Sequence, residues 1–335
     1  MPWVSESPVR KTVLQTVVAY MAAAAIVYYA AHTVSWSRVL DASSEATLWL
    51  FLGASLAGFL CWFIGDTIQY SRLFSYFHGP TGARDLLPTM ASVYFLQLVN
   101  SNFAGGAYVL FLHARKRVPW ISAGCTLLFQ AYIDLMLLAI LSFAAIALVP
   151  TSPIRHGRYY AAGVLCAGIL IASFWLLWGE RLNRGTWLRW LYERPSMVSF
   201  RMARPSQYIK LLAIRFLICL AAGCALYGQL ASFHIRVPLA QVAALTPLIV
   251  AIGNSPFSPG GIGTTQLIFT IGFAGFAGKS DLFALSLAVS AFNLLVRIPM
   301  GLAMRAPLEE AVEIQREFTI DRVKLGSALR GTPGG

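Results

Sequence analysis

The sequence predicts an all-α, polytopic integral membrane protein with about six full spans and two re-entrant helical hairpins arranged as inverted repeats. Three observations carry that prediction. Of 335 residues, 57% are hydrophobic and only 12% are charged, where a soluble domain carries about a quarter charged residues; the mean hydropathy is +0.65. Apolar runs near twenty residues recur along the chain, the length at which a helix crosses a bilayer. Two further apolar regions are broken by Asn, Gly and Pro. Such residues interrupt a helix, and irregular backbone at membrane depth is tolerated only where protein buries it or it lines a wet cavity. A soluble enzyme, a nucleic-acid-binding domain and a disordered chain are excluded. The net charge of +12 belongs to loops that face anionic lipid rather than to a phosphate-binding patch on nucleic acid.

The first run, 12–31, is long enough to be a span and is read as one rather than as a cleaved leader. Runs 47–70, 120–149, 159–178, 209–230 and 282–304 complete the six. Region 88–112 contains Asn100, Ser101 and Asn102, then the Gly105-Gly106 pair. Two full crossings need about forty residues, and this region is too short for them. Read as a hairpin, with a cytoplasmic N-terminus, it places nineteen Lys and Arg inside and five outside. Read as one crossing it reverses the bias to eight inside and sixteen outside. Positively charged residues collect on the cytoplasmic side, so the hairpin is preferred.

Runs 239–256 and 262–277 flank a second break, Asn254-Ser255-Pro256-Phe257-Ser258-Pro259-Gly260-Gly261-Ile262-Gly263. The arms are short for full spans and are read as a hairpin entering from the outside, although two short spans give the same loops. Span 47–70, hairpin 88–112 and span 120–149 then form one triplet. Span 209–230, hairpin 239–277 and span 282–304 form a second, running the opposite way. Inverted repeats with broken helices are a transporter signature. The membrane domain covers 1–305 and a short charged cytoplasmic tail covers 306–335, with both termini cytoplasmic in a bacterial inner membrane.

Ionisable groups inside spans mark pathways or ion pairs. Asp134 lies deep in its span, and Gln130 sits one turn before it on the same face. Asn293 and Arg297 repeat that spacing in the matching span of the second triplet. Asp66 and Arg215 are candidates for a structural ion pair, with depth favouring Asp66 over Asp134 as the partner of Arg215 or Arg297. Beyond Gly263 a half-helix starts at Thr264-Thr265, with Gln266 in its first turn. Free N–H groups at such a start suit an anionic group. The candidate substrate contacts are therefore the first tip (Asn100, Asn102, Gly105, Gly106), the helix pairs Gln130/Asp134 and Asn293/Arg297, and the second tip. The second tip comprises Asn254, Ser255, Ser258, Pro259, Gly260, Gly261, Gly263, Thr264, Thr265 and Gln266.

The five cysteines lie in apolar runs and the five histidines at span edges, none paired at ligand spacing. No metal and no cofactor are expected. Segment 181–208, with Trp187, Trp190 and Tyr192 among six arginines, reads as an interfacial helix on anionic headgroups.

The stretch Ser258-Pro259-Gly260-Gly261-Ile262-Gly263-Thr264-Thr265-Gln266 resembles the membrane region of lysylphosphatidylglycerol synthases, a flippase-like family also found as stand-alone proteins. Asn100, Gly105-Gly106, Ala114-Arg115-Lys116 and Asp134 are similar as well, and the resemblance spans roughly residues 10–305. It departs at Gln266, where the family usually has Glu, and at Gln130-Ala131, where an Asp-Arg pair is common. These 335 residues leave no room for the synthases' aminoacyl-transferase domain, so aminoacylation is not expected of them. The resemblance implies translocation of a phospholipid, glycolipid or hopanoid-type lipid, with membrane lipids as partners and no enzymatic activity. Two alternatives stay open: an accessory subunit working with envelope-lipid biosynthesis enzymes, and an integral membrane lipid-modifying transferase.

Overall fold

A computed structural model describes residues 36–99, 101–148, 168, 193–253 and 263–303. Among them every regular element is helical. Spans 12–31 and 159–178, most of segment 181–208 and the 306–335 tail lie outside the described residues. The helices are α1 (Trp36–Glu45), α2 (Leu48–His78), α3 (Ala83–Val99), α4 (Ser101–Lys116), α5 (Trp120–Leu148), α6 (Val198–Met202), α7 (Pro205–Ser232), α8 (Leu239–Gly253), α9 (Thr264–Gly272) and α10 (Lys279–Ala303). Four of these, α2, α5, α7 and α10, are long and apolar enough to cross a membrane. They correspond to runs 47–70, 120–149, 209–230 and 282–304.

Helix α2 ends at Gly79, whose φ of 87° lies in the left-handed region that Gly enters freely. Helix α7 begins with Pro205 at its first turn, where a missing N–H costs nothing. Both run past the predicted boundaries, which followed hydropathy. A helix satisfies its backbone in water or lipid alike, so the polar stretch Gln69–Arg72 stays helical beyond the apolar run.

Helices α3 and α4 fold back on each other. Tyr108 Oη donates to Met90 Sδ at 3.1 Å; one continuous helix would hold residues eighteen apart in sequence about 27 Å from each other. At the base, Lys116 Nζ donates to the carbonyl of Pro80 at 2.6 Å, so the chain leaves at the end where it entered. The hairpin is longer than the predicted 88–112. Its arms of 17 and 16 residues extend about 25 Å each, nearly the thickness of a hydrocarbon core of about 30 Å. Gly105 and Gly106 lie inside α4 rather than at the tip.

The second hairpin is α8 and α9. With nine residues, α9 is only about 14 Å long and cannot cross alone. Beyond it Phe273 is packed with Ile235, Val237 and Leu282, which returns the chain to the end where α8 began. The two hairpins enter from opposite ends. The first end carries His78, Pro80 and Lys116, and the second carries the Thr47 N–H to Ser232 carbonyl bond of 2.8 Å.

The long pair α2 and α7 runs antiparallel through the middle. Contacts advance along α2 as they retreat along α7, from Gln229 on Ser55 at 3.0 Å to Arg215 on Asp66 at 2.7 Å. Small residues allow the approach. A Cβ on Gly228 would stand 2.7 Å from Ala54 Cβ, and one on Gly58 would collide with Ala225. Close backbone approach over small residues is how helices associate where lipid removes the hydrophobic drive. Leu56, Leu60 and Ile64 on the outer face of α2 are 47%, 44% and 51% exposed, an apolar stripe fit for acyl chains.

The cross-contacts obey the inverted repeat. Helix α5 packs on α8 and α10 packs on α3, so each triplet's last span seats the other's hairpin. One offset of 163 residues relates Gly65 to Gly228, the start of α4 at Ser101 to the start of α9 at Thr264, Gln130 to Asn293 and Asp134 to Arg297. Each hairpin also has its own core. One gathers Phe74, Met90, Tyr108 and Phe129, the other Phe51, Leu245, Phe269 and Phe273.

Candidate functional site

Between those two cores lies a cavity of about 360 Å³ whose wall receives residues from α2, α3, α4, α5, α7, α8, α9 and α10. Its polar stripe follows from helical spacing. On α2, Ser55, Phe59, Trp62, Asp66 and Tyr70 recur every three or four residues and share one face. On α10, Asn293 and Arg297 do the same.

Arg215 organises the charges. Its Nη1 meets Asp66 Oδ1 at 2.7 Å and its Nε meets Asp134 Oδ1 at 2.9 Å. Depth along the helices argued against Asp134 as a partner. The guanidinium nevertheless serves both carboxylates, because its N–H groups point along different edges of a planar fork. Asp66 is fully engaged: its Oδ2 accepts the Tyr94 hydroxyl at 2.7 Å and Trp62 Nε1 at 3.0 Å. The Arg215 guanidinium also lies 5.2 Å from the centre of the Trp62 ring, within cation–π range. Asp134 Oδ1 accepts Gln130 Nε2 at 2.9 Å as well, so Gln130 holds the carboxylate from behind while itself buried.

Arg297 is arranged differently. Its guanidinium stands 5.2 Å from the Tyr94 ring centre, and Nη1 reaches Gln97 Oε1 only at 3.5 Å. Its buried Nε has no hydrogen-bond partner, and no carboxylate among the described residues pairs with it. Tyr94 thus joins the two charge groups, its hydroxyl on Asp66 and its ring on Arg297.

Of the predicted contacts, Asp134, Asn293, Arg297 and Thr265 line this cavity. Gln266 does not. At the third position of α9 its Oε1 accepts the Gly263 N–H at 2.6 Å and its Nε2 donates to Ser290 Oγ on α10 at 3.0 Å. It caps the half-helix and ties the hairpin to the last span. Gly263, with φ 88°, takes a conformation few residues other than Gly adopt. Gly105 and Gly106 are not among the lining residues. Asn100, Asn254, Ser255, Ser258, Pro259, Gly260 and Gly261 lie outside the described residues, as do the side chains of Asn102 and Thr264.

Sequence reasoning missed Trp62, Tyr94, Gln97 and the stacked Tyr70–Tyr108 rings, 4.2 Å apart. Trp62 was within reach of it, standing one turn before Asp66 as Gln130 stands before Asp134. Tyr94 was not, since its contacts run to another helix.

Inverted triplets, oppositely entering hairpins and one charged cavity between them define a multi-pass helical membrane protein built around a central polar site. Residues 13–301 match the family described as the lysylphosphatidylglycerol synthase TM region. The chain belongs to that family, and so to a group of membrane proteins connected with lipid. No curated protein and no solved structure matches it.

Proposed function

We propose that the protein moves a lipid headgroup between the leaflets of a bacterial inner membrane, with no chemical change to the lipid. The observation that supports this reading is the cavity itself, whose wall draws on both hairpins and both triplets. A site made by two inverted halves opens to one side or the other as the halves rock, which is the geometry of alternating access. The acyl chains stay in the bilayer against the apolar stripe of α2 while the headgroup crosses among Asp134, Arg215 and Arg297.

The end bearing Arg115, Lys116, Arg117, Arg201 and Arg204 is the cytoplasmic face under this reading, which puts both termini in the cytoplasm. The test is purified protein in liposomes loaded with fluorescent phospholipids. Bleaching of inner-leaflet probe by an impermeant reductant supports the reading. A chemically altered lipid would point to a transferase instead. Inert vesicles, from protein that co-purifies with an envelope-lipid enzyme, would point to an accessory subunit.

A further inference from the structure

Opposite charges stand at equivalent places in the two halves. Asp134 and Arg297 are related by the 163-residue offset and face the same cavity. Neither is fully used by the protein. Both oxygens of Asp66 are occupied and its side chain is 10% exposed, whereas Asp134 is 35% exposed and its Oδ2 has no partner among the described residues. On the other side Arg297 offers a buried Nε without an acceptor. Asp66, Asp134, Arg215 and Arg297 carry two negative and two positive formal charges. The wall is therefore neutral overall, with a carboxylate oxygen unpaired among the described residues at one pole and an unpaired guanidinium Nε at the other.

We propose that the cavity binds a zwitterionic headgroup made of a phosphodiester and a primary ammonium, the phosphodiester at Arg297 and the ammonium at Asp134 Oδ2. This rests on the cavity being a lipid site. A guanidinium matches the paired oxygens of a phosphodiester. A carboxylate oxygen accepts N–H, which a primary ammonium supplies and a quaternary one lacks. An anionic headgroup leaves the Asp134 pole repelled, and a cationic one leaves Arg297 without an acceptor. The volume of about 360 Å³ lies at the small end of ligand clefts. It is large enough to hold a headgroup.

The test is native mass spectrometry of the purified full chain, titrated with short-chain phosphatidylethanolamine, phosphatidylcholine and phosphatidylglycerol of equal chain length. Wild-type protein is expected to bind the ethanolamine lipid at least tenfold more tightly than the other two. Asp134→Asn is expected to level the three affinities, and Arg297→Gln to weaken all of them together. Equal affinities in wild-type protein, or tighter binding of the glycerol lipid, would overturn the proposal without any variant having to fold. The same lipids in the leaflet assay separate this inference from the transport reading. Ranked binding without translocation leaves the site standing and removes transport; translocation without ranking does the reverse.

Discussion

Asp134 and Arg297 occupy matching positions in two halves that run oppositely through the molecule, and they carry opposite charges. Each is preceded by an amide one turn earlier, Gln130 and Asn293. The amides have diverged in use. Gln130 holds Asp134, whereas Asn293 Nδ2 donates to the Val289 carbonyl of its own helix at 3.1 Å. Arg297 is left facing the cavity, steadied by Tyr94.

The sharing of Arg215 sets an order among the charge variants. Arg215→Gln leaves Asp66 and Asp134 with no cation between them, whereas Asp66→Asn leaves Arg215 still paired with Asp134. Breaking a buried pair from one side costs about 3–5 kcal/mol. Arg215→Gln is expected at or above that range and Asp66→Asn below it. Thermal unfolding of detergent-solubilised protein checks the order, and equal losses would contradict it.

At the seam, Gly228→Leu puts a branched side chain where a single Cβ already stands 2.7 Å from Ala54. Overpacking of this kind costs about 1–3 kcal/mol, read as a lowered melting temperature. Gly105→Leu serves as the control, because nothing lies within 4 Å of a Cβ there. It is expected to be milder, limited to the change in helix propensity.

Gln266 tests the capping role. Gln266→Leu removes the acceptor for the Gly263 N–H and the donor to Ser290, and loss of a cap costs about 1 kcal/mol or more. Gln266→Glu keeps an acceptor for Gly263 and lets Ser290 donate in turn. The glutamate variant is expected to melt closer to wild type than the leucine variant. The reverse ranking would mean that the bond to Ser290 needs the amide N–H.

The re-entrant hairpin predicts matched accessibility. In a background with the native cysteines replaced by serine, single cysteines at Gly82 and Arg117 flank the base, where Lys116 meets Pro80. Both are expected to react with an impermeant maleimide from the same side of the membrane. Labelling from opposite sides would mean that the segment crosses.

Much of this was legible in the chain. Charge bias alone distinguished the hairpin at Asn100 from a crossing, because one extra crossing inverts every later loop. The start of α9 at Thr264 was legible from Gly263 and Thr264-Thr265, but the cap is Gly263 itself, at φ 88°, and not a threonine. Helix ends were less legible, as with α2, because hydropathy reports depth in lipid rather than where backbone hydrogen bonds stop. The site was visible only in pieces. Asp134 and Arg297 stand out as charges in apolar runs, but a linear reading ranks partners by depth. Depth rightly picked Asp66, 149 positions away in sequence, as a partner of Arg215, but it does not see that the same guanidinium also holds Asp134.

The glycine seam between α2 and α7 has a mechanical consequence. Interlocked large side chains would ratchet the two rods against each other, but Gly58, Ala225, Gly228 and Ala54 present nearly smooth surfaces. With 31 residues, α2 is about 46 Å long. A pivot of about 10° at Gly58 swings the near tip by roughly 3 Å and the far tip by roughly 5 Å. If the halves rock as the transport reading requires, this seam is where they would turn, and the charged hollow lies beside it.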